Sequence, residues 1–462
     1  MRWRMRTVLS LLILTITLAL GSAGAQTPTP QPAEPPKTLA ECVSIALGQH
    51  PSLKAAGASV QAGHERVFEA ASNYLPQVSS FYNASRGNSL STSRTGTQVL
   101  STAPGATPGV PSTSVSALAG GAAGATFNFY RTGVSFSQML FDFGQTLNQI
   151  RAAQAAEQSL RADQNTQADT VALNVKQAYF NVLATRRLQT VADETVRQNQ
   201  SHLDQARGRY TVGLAAKFDV TQVQVQLANA ELNQLTARNN VAVARETLRN
   251  ALGLTGPLTF DIIDNLDIHA VQITEPEALA LAYETRPELQ SLQARERATD
   301  QQIAALEKNY LPNLTGNGAY QWSGTDYPLD SSWTVGASVN LSLFSGGLTR
   351  AQVAEQKANL SNLKFNEELT RQNIALEVRQ DTLNLQQAAA SIGVAEKGLQ
   401  LARENLALAE GRYNTGVGNI IELTDAQASL TTAEANHVQA LYNYKTALAA
   451  LEKATAQQFT SE

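Results

Sequence analysis

Apolar positions along this chain follow two periods, and the change from one to the other occurs twice. Stepping from Ile374 alternately by four and three residues to Tyr413, eleven of twelve positions are apolar, with Asp381 the exception. The corresponding run from Val171 to Tyr210 scores nine of twelve, failing at Thr185, Gln189 and Asn199. Two later runs, Val220 to Ala251 and Leu423 to Ala454, score nine of ten each, the second failing at His437. A sustained 3.5-residue spacing is the signature of a coiled coil, and alanine on alternate layers lets helices approach closely. Between Gly144 and Gly213 about 70 residues run without proline, so at 1.5 Å each a helix there spans roughly 105 Å.

Ahead of each long run the period falls to two. Trp333, Val335, Ala337, Val339, Leu341 and Leu343 alternate with polar or small residues, which describes a strand with one apolar face. Leu314 to Trp322 alternates more weakly. In the first half Tyr130, Thr132, Val134, Phe136 and Leu140 line one face, and Ser135, Ser137 and Met139 the other. The predicted strands lie near 76–85 and 126–141, and near 312–323 and 332–344: one hairpin per half.

The two halves are one unit written twice. Tyr74-Leu75-Pro76 matches Tyr310-Leu311-Pro312 at an offset of 236, as does His50-Pro51 with Arg286-Pro287. Farther on, Arg209-Tyr210-Thr211-Val212-Gly213 matches Arg412-Tyr413-Asn414-Thr415-Gly416 at an offset of 203. The offset changes because the first hairpin carries an insertion, predicted as loop 86–125. Thr38 with Glu41, and Thr274 with Glu277, open each unit with a capping box, and Pro51 and Pro287 break the helix that follows. The units are read as 38–256 and 274–456, joined by a solvated connector at 257–273 and followed by a tail at 457–462. Asp261, Asp264 and Asp267 in the connector lack the spacing of an EF-hand calcium loop.

The N-terminus adds an address. Arg2, Arg4 and Arg6, an apolar run from Val8 to Leu20 and Ala23-Gly24-Ala25 describe a secretory signal peptide spanning 1–25 and cleaved after Ala25. Removing its three arginines takes the net charge from -4 to -7. A proline-rich stretch, 26–37, is expected as a disordered lead-in. Glu41 before Cys42, the one cysteine, does not suit a lipid anchor, so a free thiol is expected. No later run is apolar enough for a transmembrane helix, so membrane insertion requires strands.

Composition then removes alternatives. Five histidines and one cysteine give no metal cluster or disulfide framework, and mild acidity argues against nucleic acid as partner. No Gly-x-Ser-x-Gly elbow and no P-loop is present, so neither an enzyme nor a cofactor is expected. Four strands with an apolar face cannot sit in lipid as an open sheet, because edges would leave backbone groups unpaired. Chains must therefore pool strands, and three would give twelve; the sequence alone does not choose three over two or four. Two other classes stay open: a structural coiled-coil surface protein, without membrane-embedded hairpins, and a secreted enzyme, with a pocket of convergent polar groups.

The doubled layout, the paired Leu-Pro strand starts, the two Arg-Tyr-x-x-Gly turns and Leu423-Thr424-Asp425-Ala426-Gln427 resemble the TolC-like outer membrane efflux protein family over the whole mature chain. The resemblance implies a mainly α fold with a small transmembrane β-barrel. In it, three chains form a 12-stranded barrel in outer-membrane lipid, continuous with a long periplasmic α-helical barrel. It implies a passive duct exporting small molecules or polypeptides, with a periplasmic adaptor and an inner-membrane transporter of RND, ABC or MFS type as partners. By the same resemblance Asp219, Tyr413, Glu422 and Asp425 fall at the periplasmic entrance constriction, and Val212, Gly213, Leu214, Gly416 and Gly418 in turns that dock the adaptor. Asp219, Glu422 and Asp425 also suit helix starts, where the macrodipole favours acids. Some members place an arginine at the position of Gly418 and lock the entrance with it; here Lys217 is the nearby substitute. The expectation is a weakly latched entrance held by packing of Tyr210, Tyr413 and the coiled-coil seam, which Gly418→Arg would tighten.

Overall fold

The computed structural model describes residues 34–88, 126–264 and 273–457. The signal peptide, most of the lead-in, nearly all of the predicted loop 86–125, Asp267 and most of the tail lie outside them.

The first unit runs β1 (Glu34–Lys37), α1 (Leu39–Gln49), α2 (Pro51–Ser72), β2 (Gln77–Asn88), β3 (Thr126–Phe141), α3 (Gln145–Thr211) and α4 (Lys217–Ala251). After β4 (Phe260–Ile262), the second unit runs α5 (Glu275–Thr285), α6 (Pro287–Glu307), β5 (Asn313–Gly324), β6 (Asp330–Asn340), α7 (Leu348–Asn414) and α8 (Ile420–Thr455). Thr38 and Glu41 cap α1 reciprocally, and Glu277 takes the Thr274 N–H at 3.2 Å. Pro51 and Pro287 each occupy the first turn of a new helix, where a missing N–H costs nothing.

The long helices α3 and α7 have 67 residues each, about 100 Å at 1.5 Å per residue. Two shorter helices together match each long one. The long helix α3 packs against α2 and α6 on the stretch next to the sheet and against α4 and α8 beyond, and α7 packs against α6 and then α8. The predicted seam is the buried face: Ile374, Val378, Leu385, Ala388, Leu399, Leu406, Ala409 and Tyr413 of α7 are all buried. The seam of α3 is buried at Val171, Val175, Ala178, Val182, Leu203 and Ala206, whereas its last member, Tyr210, is 47% exposed. Packing by Tyr210 therefore does not latch the chain internally.

The four long strands form one antiparallel sheet in the order β2-β3-β5-β6, so the two hairpins pair through β3 and β5. Register puts Val134 beside Tyr320 and Tyr320 beside Trp333, and Phe136 beside Gly318 and Gly318 beside Val335, on one face. That face is bare: Trp333 is 71% and Val335 80% exposed. The other face is polar, with Ser79 and Ser135 sharing a hydrogen bond at 2.7 Å, Thr315 and Ser338 at 2.8 Å, and Arg131 Nε donating to Gln321 Oε1 at 2.8 Å. Strands of 11 to 16 residues are long enough to cross a membrane tilted. Each hairpin hands over to its long helix through a left-handed glycine, Gly144 (φ 84°) or Gly347 (φ 85°). Asp142 secures the first handover by accepting from the N–H of Gly144 and Thr146 and from the Tyr74 hydroxyl.

Several boundaries differ from the sequence reading. The strand β2 runs to Asn88, so residues 86–88 of the predicted loop belong to the strand. The fourth strand ends at Asn340 rather than 344: Asn340 pairs with Asn313, and the residue before Asn313 is Pro312, which has no N–H to continue the ladder. Residues 34–37, expected disordered, form β1, and the connector contains its parallel partner β4. Phe260 and Ile262 are buried beside Leu248 and Leu252, and Asp261 and Asp264 pair with Arg186 and Arg187 rather than forming an ion loop. Cys42 is a free, fully buried thiol, pushed up to about 11 chiefly by burial.

Candidate functional site: the helix-hairpin tips

Far from the sheet, α3 turns into α4 and α7 turns into α8 by the same device. Gly213 (φ 78°) and Gly416 (φ 79°) take the left-handed conformation that glycine alone adopts without strain. The N–H of Leu214 then reaches the carbonyl of Arg209 at 2.8 Å, and that of Val417 the carbonyl of Arg412 at 3.0 Å. These bonds leave Val212, Leu214 and Val417 projecting, each more than two-thirds exposed.

Gly418 is glycine for a different reason. A Cβ there would lie 2.9 Å from the Arg412 Cβ and 3.1 Å from the Tyr413 nitrogen. The position has no room for a side chain, so an arginine introduced at 418 cannot act as a latch without rebuilding the turn. Lys217 does not replace it either: among the described residues it makes no ion pair.

The basic groups that make side-chain ties at this end are the two arginines of the repeated Arg-Tyr motif. Arg412 Nε lies 3.2 Å from Glu422 Oε2, within one hairpin. Arg209 spans the two hairpins. Its guanidinium stacks over the Tyr413 ring at 4.2 Å and donates to the Asn414 carbonyl at 3.0 Å. Tyr413 itself is 4% exposed, packed with Leu203, Ala206, Val223, Ile420 and Leu423. Burial pushes its phenol above the ordinary value, with Asp219 adding to the effect and Arg209 opposing it.

The acids divide by role. Asp219 accepts from the Ala216 N–H at 3.4 Å, and Glu422 sits three residues after the cap Asn419, whose side chain takes the Glu422 N–H at 2.8 Å. Both are helix-start acids. Asp425, one turn farther on, is exposed and its carboxylate has no hydrogen-bond or ion-pair partner among the described residues. Sequence reasoning named the acids and missed Arg412 as the partner of Glu422 and Arg209 as the tie to Tyr413 and Asn414; the doubling of Arg before Tyr was the available signal.

No helix among the described residues is long and apolar enough to cross a membrane, and no group of three or more His, Cys, Asp or Glu there is placed to hold a metal. A sheet with one bare apolar and one polar face, continuous with helical hairpins about 100 Å long, defines the subunit of a channel that crosses a membrane by strands. The chain matches the outer membrane efflux protein family over residues 42–254 and 278–457, and it belongs to that family. It is 27% identical to outer membrane protein TolC of Escherichia coli over 70% of this chain and 68% of that protein. It is 24% identical to outer membrane efflux protein BepC of Brucella suis over 91% of this chain and 85% of that protein. The CmeC outer membrane channel of Campylobacter jejuni has the same fold, with a TM-score of 0.74 at 17% identity, covering 92% of this chain and 87% of that one. The protein is accordingly an outer-membrane efflux channel protein.

Proposed function

We propose that three copies of this chain close their sheets into one barrel and their helices into one tube, giving a passive duct from the periplasm to the exterior. The observation that carries this reading is the sheet: β2 and β6 each pair on one side only, while its apolar face is bare and its other face is polar. An open edge in lipid leaves several backbone groups unpaired at a cost of several kcal/mol each, so closure between copies relieves a large penalty. Twelve strands suit a pore wide enough for cargo. Energy comes from an inner-membrane transporter of RND, ABC or MFS type, reached through a periplasmic adaptor that meets the projecting Val212, Leu214 and Val417 beside Gly213, Gly416 and Gly418.

At the opposite end from the barrel, threefold symmetry turns each acid into a ring. Asp425, unpaired, contributes more to cation preference than Glu422, whose charge is shared with Arg412. In planar bilayers Asp425→Asn is expected to lower cation selectivity clearly and Glu422→Gln little; equal effects would place both in the pore. Deleting the gene while measuring drug sensitivity and the profile of exported proteins tests the duct itself. Unchanged sensitivity together with an unchanged profile would contradict it.

A further inference from the structure

One layer behind the tips, a cavity of about 150 Å³ lies between α3, α7 and α8. Gln198, Ser201, His202 and Gln205 of α3 line it with Glu410 and Tyr413 of α7. It has room for several waters. Its lining is mostly polar, and two of the lining side chains are buried with unmet polar atoms. His202 is only 5% exposed, and neither ring nitrogen makes a well-formed hydrogen bond, Gln427 of α8 being the one side chain that comes near enough to act on the ring. The Tyr413 hydroxyl is buried and unpartnered as well, and so is Oε1 of Gln427, the α8 side chain that approaches the ring. A neutral imidazole carries one donor and one acceptor whichever tautomer it takes, and leaving both unmet is costly. Nothing in an ordinary coiled-coil seam requires a histidine here; the same position in the second unit is Asn405.

The charges around His202 are few. From α7 come Glu410 and the phenol of Tyr413; α8 contributes Gln427 and Leu423, neither charged. The far side of Tyr413 carries Arg209, and Asp219 of α4 acts on the same phenol. Glu410 is thus the one carboxylate that lines the cavity beside the ring.

We propose that His202 is a proton-binding switch of the entrance hairpins: neutral, it lets α3 pack on α7 and α8; protonated, it needs water and Glu410, and the layer parts to admit them. The position of this layer at the entrance rests on the duct reading; the coupling of protonation to helix packing does not. Burial holds the imidazole below its ordinary value, and Glu410 and Gln427 only partly offset that. The parted, hydrated arrangement therefore binds the proton more readily than the packed one. Packing is at full strength above the ordinary histidine value of about 6.5 and weakens as pH falls below it.

The test is backbone amide exchange of the detergent-solubilised full-length protein between about pH 8 and about pH 5.5, corrected for intrinsic exchange rates, which reports the opening equilibrium directly. Protection over 199–211 is expected to fall severalfold on acidification in the wild type, because the parted arrangement binds the proton more tightly than the packed one. In His202→Asn and His202→Gln it stays flat. Glu434, pushed up by burial on α8, is retained in both variants and serves as the internal control. Glu410→Gln removes the carboxylate that favours the imidazolium and moves the wild-type midpoint to lower pH. A wild type without acid sensitivity, an equal loss of protection in both His202 variants, or an unmoved midpoint in Glu410→Gln overturns the proposal. Ion conductance of the same preparations, measured in parallel, tests the duct reading separately.

Discussion

Single residues that break the periodic pattern carry most of the chemistry. Asp381 is the one polar member of the α7 seam. Its carboxyl is pushed up to about 6, first by burial and then by Glu377, against the opposing Lys453 and Arg286. Glu377 goes the other way, held below the carboxylate range by Arg286 at 2.6 Å and Lys453 at 3.0 Å, which outweigh its burial. Because the folded value of Asp381 lies above the unfolded one of about 3.9, its contribution to stability is greatest below about pH 4 and is lost as pH rises through about 6. Asp381→Asn should therefore raise the melting temperature more at pH 8 than at pH 5. An equal gain at both would show that charge is not the cause. At the tips, Arg209→Ala removes a cation–π contact and a charge-assisted hydrogen bond, together worth about 1–2 kcal/mol at a partly exposed site. Resting conductance is expected to rise roughly 5- to 30-fold, and a rise as large in Lys217→Ala would contradict the assignment of the tie to Arg209. The latch was only half legible in sequence. The Arg-Tyr repeat marked where it lies, but which side chain reaches which hairpin depends on how the four helices cross.

Elements with a strong period were legible, and those held by tertiary contacts were not. The long helices and three of the four strands follow from spacing alone, because burial on one face repeats every 3.5 or 2 residues. β1 and β4 have four and three residues, too few to show a period, and Pro35 and Pro36 read as extended coil. They pair because Tyr179, fully buried in α3, holds both: its hydroxyl donates to the Ile263 carbonyl at 2.5 Å and toward that of Lys37 at 3.4 Å. Lys37 also sits over the Phe260 ring at 4.9 Å. Tyr179→Phe should cost about 1 kcal/mol, since the part-buried Ile263 carbonyl loses its hydroxyl donor. Amide protection over 34–37 and 260–263 should fall while that of α3 stays. Loss of protection throughout α3 would mean that Tyr179 supports the helix core rather than the strands.

At the scale of the molecule, the surface left uncovered by one chain has two parts. One is the apolar face of the sheet, with Val78, Tyr82, Trp333, Val335 and Val339 bare. The other is a second apolar row on the helices, spaced by seven, at Phe218, Val225 and Leu232 of α4 and at Leu369, Leu376 and Leu383 of α7. Exposed apolar surface on this scale marks contact with lipid or with another chain. The sheet row has the register of a membrane strand, and the helix rows have the heptad of a coiled-coil partner. Alternation along the strands pointed to the sheet face, whereas the helix rows were not read from the sequence; what covers both depends on assembly, which one chain's sequence does not contain. The most direct measurement is therefore the polypeptide mass of the detergent-solubilised protein by light scattering, with the detergent contribution subtracted. The account predicts about three chains per particle; a stable, membrane-integrated particle containing one chain would contradict it.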